Sequence, residues 1–136
     1  MDQVLMVTAR PLLPEVIDEG RRLIRALHAS RFEVDAAFWL FLSDSERWKL
    51  IIASPVRLRE GAFQAYSRLR AVSNSMDPLL RIEETDVALA KCEDRRVKAL
   101  RSRFIFKRET SDAIIEHASL DGEYFEAVYL YQLSEI

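Results

Sequence analysis

The sequence predicts an α+β fold, a two-layer sandwich with helices on one face of a mostly antiparallel sheet. Three observations lead there. Two pairs of strand-like runs are joined by short polar turns, and strands joined so tightly must be antiparallel. Helical periodicity recurs between those runs, in the order α-β-β-α-β-α-β-β. The 136 residues contain three scattered glycines and no low-complexity stretch, so no linker divides them. One domain over residues 1–136 is expected, with residues 1–12 as an N-terminal arm or a short strand ("VLMVT", Val4 to Thr8).

The first helix is expected over Pro14 to Ala29. Pro11 and Pro14 suit a first helical turn, where a missing N–H costs nothing. Leu13, Val16, Ile17, Leu23, Ile24 and Leu27 recur at helical spacing. Glu15, Asp18 and Glu19 come early and Arg21, Arg22 and Arg25 late, which complements the helix dipole. A hairpin follows, with strands Val34 to Leu42 and Arg47 to Ser54 around the polar turn "SDSE". Pro55, without a ladder donor, ends the second strand.

A second helix is expected from Arg59 to Val72, with Ala62, Ala65, Tyr66, Leu69 and Val72 inward, then a loop from Ser73 to Pro78. "RIEETDVALA" (Arg81 to Ala90) reads as a strand. "CEDRRVKALRSRF" opens a third helix with Glu93 and Asp94 and carries Val97, Leu100 and Phe104 at helical spacing. Asp121-Gly122, between two strand-like runs, is the strongest hairpin signal in the chain.

The hairpin strand "AAFWLFL" poses the central question. Side chains alternate along a strand, yet both sets, Val34, Ala36, Phe38, Leu40 and Leu42 on one side and Asp35, Ala37, Trp39 and Phe41 on the other, are largely apolar. Trp48, Leu50 and Ile52 of the next strand should lie toward the helices. The last strand repeats the pattern, with Phe125, Ala127, Tyr129, Tyr131 and Leu133 on one side and Tyr124, Val128 and Leu130 on the other. If the helices cover one face, the other exposes aromatic side chains, and a large exposed apolar patch usually marks an interface. The expected anchors are Trp39, Phe41, Tyr129 and Tyr131, or Phe38 and Leu40 if the register is reversed. The same face could instead be covered by the N-terminal segment, by a curled sheet, or by a ligand held between the faces.

Composition excludes several classes. Hydrophobic residues make up 49% and charged residues 31%, with a net charge of −2, so no overall bias toward nucleic acid or membranes exists. Sixteen of the twenty basic residues are Arg, which reads as a compositional bias rather than as anion recognition. The longest apolar run, Ala36 to Leu42, falls far short of the ~18 residues of a span. The N-terminus lacks a secretory h-region, and the single Cys92 fits a reducing compartment, so a cytoplasmic location is expected.

Chemistry-bearing residues are few. His28 and His117 lack metal-ligand spacing, and His28 is placed to meet helix-end carbonyls. Cys92 sits at a helix start, where a dipole lowers thiol pKa, but Glu93 and Asp94 oppose that effect. Glu83, Glu84 and Asp86 form an acidic cluster, with Glu84 and Asp86 on one strand face if the segment is extended. Arg95, Arg96, Lys98, Arg101 and Arg103, with Lys107 and Arg108 beyond, make the third helix basic, and Phe104 and Phe106 interleave as base-stacking residues would. No cofactor and no metal is called for.

"FWLFLSDSERWKLIIASPV", "EGAFQAY" and the closing "EAVYLYQL" resemble a family of short uncharacterised bacterial proteins. The resemblance implies a similar α+β domain and carries no catalytic residue. The leading expectation is a non-enzymatic assembly or accessory protein, bound to itself as a homodimer or higher oligomer, or to a larger protein. The alternatives are a nucleic-acid-binding protein using the third helix and a hydrolase or nuclease using His117 or the Glu84/Asp86 pair.

Overall fold

The computed structural model describes residues 11–104 and 112–133. The expected arm at residues 1–12 falls mostly outside them, as do Phe106, Lys107 and Arg108. The order is α1 (Pro14–Ala29), β1 (Ala36–Leu42), β2 (Arg47–Ala53), α2 (Pro55–Glu60), α3 (Ala62–Asn74), a 3₁₀ turn (Glu84–Asp86), β3 (Val87–Ala90), α4 (Arg95–Arg103), β4 (Ala113–Leu120) and β5 (Glu123–Leu133). The strands form one sheet in the order β3-β2-β1-β5-β4. Every pair is antiparallel except β2–β3, which α2 and α3 connect as a parallel crossover.

The α+β class and the mostly antiparallel sheet agree with the sequence. The layering differs. α1, α2 and α3 pack on one face, where Ala37, Trp39, Phe41, Leu50, Ile52, Tyr129 and Tyr131 join Leu23, Leu27, Val56 and Leu69 in one core. On the other face Phe38, Leu40, Ile51, Val128 and Leu130 join Val97, Ala99 and Leu100 of α4 in a second core. The helices therefore lie on both faces rather than one. β1 is the middle strand between the two cores, which is why both of its faces are apolar. Each large side chain buried there contributes about 1.5–3 kcal/mol of transfer free energy.

Local chemistry sets the element boundaries. Ser54 ends β2 and caps α2, its hydroxyl accepting the Val56 N–H at 3.1 Å, with Pro55 as the first helical residue. The expected single helix over Arg59 to Val72 is two, because Gly61 at φ +88° breaks it. The expected strand from Arg81 is shorter, because Glu84–Asp86 coil into a 3₁₀ turn first. The Tyr66 hydroxyl then accepts the Leu89 N–H at 2.9 Å and closes part of the outer edge of β3. Asp94 caps α4 by accepting the Arg96 N–H. Asp121 and Gly122 both have positive φ, as a two-residue type I′ hairpin turn requires.

β5 does not alternate regularly. Its register against β1 slips between Ala37↔Gln132 and Phe38↔Leu130, leaving Tyr131 as an extra residue. Leu133 consequently faces the α4 core while Tyr131 faces α1. A second irregularity lies at His117, whose φ is +50°. The pairs Ile115↔Val128 and Ala118↔Phe125 flank it, three residues apart on β4, yet both belong to the α4 core. The hairpin tip thus curls over α4, and Phe125 and Leu133 face opposite to the side shared by Ala127, Tyr129 and Tyr131.

α1 approaches the sheet unusually closely. Tyr131 accepts the Trp39 indole N–H at 2.8 Å and donates to the Ile17 carbonyl. A Cβ at Gly20 would collide with the Tyr131 hydroxyl and come within 3.0 Å of Trp39 Nε1. In an open helix Gly→Ala stabilises by roughly 0.5–1 kcal/mol. Here overpacking of about 1–3 kcal/mol outweighs that gain. Gly20→Ala should therefore lower the stability measured by denaturant unfolding. Because the offending atom is the Tyr131 hydroxyl, Gly20→Ala combined with Tyr131→Phe should cost less than the sum of the two single changes.

Candidate functional site

The expected anchors Phe38, Trp39, Leu40, Phe41, Tyr129 and Tyr131 are all buried by the chain itself, none above 6% exposure. Phe38 and Leu40 lie under α4, and the other four lie under α1 and its neighbours. No register of the hairpin leaves either set open as an interface. The physical reason is the placement of α4, which supplies the second cover.

The basic residues of α4 are dispersed. Arg95 is exposed and reaches Glu123 at 3.6 Å, while Arg96 reaches Asp94 at 3.4 Å. Arg101 donates to the Cys92 carbonyl at 3.2 Å and Arg103 lies over the Phe104 ring at 5.6 Å. Lys98 is exposed.

The histidines and acids serve local contacts. The His28 ring meets Gln132 of β5 at 3.0 Å rather than the end of its own helix. His117 is exposed and meets the Tyr124 hydroxyl at 3.2 Å. Glu84 and Asp86 do not share a strand face. The 3₁₀ turn separates them, Glu84 pairing with Arg70 at 3.2 Å and Asp86 with Arg47 at 2.7 Å. Among the described residues no group of three or more His, Cys, Asp or Glu gathers as a metal site would require.

Cys92 donates its thiol proton to Asp35 Oδ2 at 2.9 Å. Burial, then the Asp35 carboxylate, push the thiol pKa up to about 12. The thiolate is the nucleophile, so this sulfur is kept in its unreactive form. Tyr131 is likewise pushed up, chiefly by burial.

A cleft of about 980 Å³ lies beside the start of α1. Three segments far apart in the chain form it: the start of α1 (Pro11 to Glu19), the β1–β2 turn (Ser45 to Trp48) and residues 81–86. Trp39 and the half-buried Trp48 contribute aromatic wall, and Trp48 meets Phe41 edge-on at 5.3 Å. Leu13 lines it as well and is 52% exposed. The walls are tied together. Glu19 accepts the Arg81 N–H at 2.7 Å and an Arg22 N–H at 3.1 Å, and Arg47 bridges to Asp86. An apolar recess of this size with a polar rim is the usual form of a binding site. Sequence reasoning missed it because no local pattern joins three segments so far apart. Leu13, which its spacing assigned to the buried stripe of the first helix, is instead the exposed N-cap of α1.

No protein-family model, curated protein or solved structure matches the chain. The comparisons therefore add nothing to the resemblance noted in the sequence. Among the described residues, no helix is long and apolar enough to cross a membrane.

The thiol environment makes a measurable claim. A rise from near 9 to about 12 lowers the thiolate fraction at pH 8 roughly a thousandfold. Native protein should alkylate with iodoacetamide that much more slowly than unfolded protein, and Asp35→Asn should recover part of the rate. The folded state also holds this proton where the unfolded state releases it. Its contribution to stability is present below pH 9 and lost as the pH rises toward 12.

Proposed function

We propose that this is a non-enzymatic accessory protein that works by contact with another protein chain, made at the cleft beside the start of α1. The cleft itself carries this reading: Trp48 and Leu13 offer apolar surface there within a charged rim. Buried aromatic and apolar anchors inside a polar rim are the anatomy of protein interfaces. Both faces of β1 are covered by the chain itself, so the contact is placed at this cleft rather than on the sheet face. The partner is a second copy or a larger protein, and a dilution series of the absolute mass separates the two. A cytoplasmic setting fits the single protonated thiol. The basic outer face of α4, with Arg95, Lys98 and Arg103 exposed, supports nucleic acid as a second reading, and a salt-sensitive gel shift would distinguish it.

Leu13→Asp is the informative variant. Leu13 is the N-cap of α1 and makes no side-chain cap bond, whereas Asp is among the best N-caps. The change should leave stability equal or raise it by about 1 kcal/mol, while partner capture falls at least about tenfold. Phe63→Asp alters an even more exposed apolar residue elsewhere and should leave capture unchanged. Undiminished capture by Leu13→Asp would remove the cleft from the interface.

A further inference from the structure

A second cleft, of about 520 Å³, lies beside the outer edge of β3 on the face that α4 covers elsewhere. Small side chains, Ala88 and Ala90, line its apolar part. Four cationic side chains from three parts of the chain border it: Arg57 of α2, Lys91 before α4, and Arg95 and Arg96 in the first turn of α4. We infer that this cleft binds a small phosphate-bearing anion.

Three observations support the assignment. Helices favour acids in the first turn, because the N-terminus carries partial positive charge. Beyond the capping Asp94, α4 has no acid in its first turn and places two arginines there, an arrangement that an anion between them would relieve. Arg57 Nε is buried and has no hydrogen-bond partner among the described residues, and an uncompensated buried donor in a guanidinium calls for an explanation. The carboxylates at the site do not neutralise the cations. Asp94 serves the Arg96 N–H at 2.9 Å and its guanidinium at 3.4 Å. Glu123 meets Arg95 only at 3.6 Å. The lining thus holds four cationic side chains against the three carboxylates Glu93, Asp94 and Glu123. Arginine forks match phosphate geometry, and lysine supplies a point charge. The volume exceeds that of inorganic phosphate, which suits a phosphorylated small molecule with an organic part resting on the alanines.

The test is calorimetric titration of the full chain with pyrophosphate at low salt, repeated with inorganic phosphate and with a short single-stranded oligonucleotide. Saturable one-to-one binding is expected, weakened about threefold to tenfold by Lys91→Gln and by Arg95→Gln, both exposed positions that should fold normally. Lys98→Gln, exposed on the same helix but outside the cleft, should leave it unchanged. Arg57→Gln should weaken it further. Absence of saturation at millimolar pyrophosphate would overturn the assignment. So would equal weakening by Lys98→Gln, or oligonucleotide binding that pyrophosphate does not displace, since each would place the affinity on the general basic surface.

Discussion

A middle strand that is apolar on both faces must be covered twice. Phe38 and Leu40 point one way from β1, Trp39 and Phe41 the other, and all four are buried. Helices on one side alone would leave about half of that surface in water. α1 and α3 cover one face and α4 the other. The parallel crossover to β3, the placement of α4 and the return of β5 beside β1 all serve that double burial.

The two covers are attached differently. α1 is held by a close fit, in which Gly20 admits the Tyr131 hydroxyl and Tyr131 joins Trp39 to the Ile17 carbonyl. Tyr131 keeps the face of Tyr129, and the bulge beside it turns Leu133 to the α4 core instead. α4 is held by apolar packing of Val97, Ala99 and Leu100, and the kink at His117 bends the hairpin tip so that Phe125 and Ala118 reach the same core. A left-handed histidine inside a strand is an uncommon conformation. Here it redirects the faces of two strands at once. The His117–Tyr124 contact lies at this bend and needs no catalytic interpretation.

What could be read from the sequence was whatever is local. Periodicity marks α1 to its boundaries, Asp121-Gly122 marks the terminal turn, and the apolar residues on both faces of β1 are visible in its sequence. Three features were hidden because they are relational. Nothing in "RRVKALRSR" states which side of the sheet its apolar stripe meets. The bulge at Tyr131 and the kink at His117 turn Leu133 and Phe125 off alternation through backbone geometry that residue identities do not announce. The cleft at the start of α1 joins segments whose proximity exists only after folding. The inference from apolar faces to an open interface failed at that first step, since a helix assigned to the same side as the others in fact crosses to the opposite side.

β1 is the centre of the fold, and the two sites proposed for contacts, beside the start of α1 and beside β3, both lie at its margins. The most direct test is Phe38→Asp, with denaturant unfolding and absolute mass measured on the same samples across a dilution series. The expected result is loss of the cooperative transition at every concentration, because a carboxylate would be buried without a partner between β1 and α4. A variant that keeps the wild-type unfolding midpoint and differs only in mass would show that Phe38 faces another chain, and would contradict the double cover.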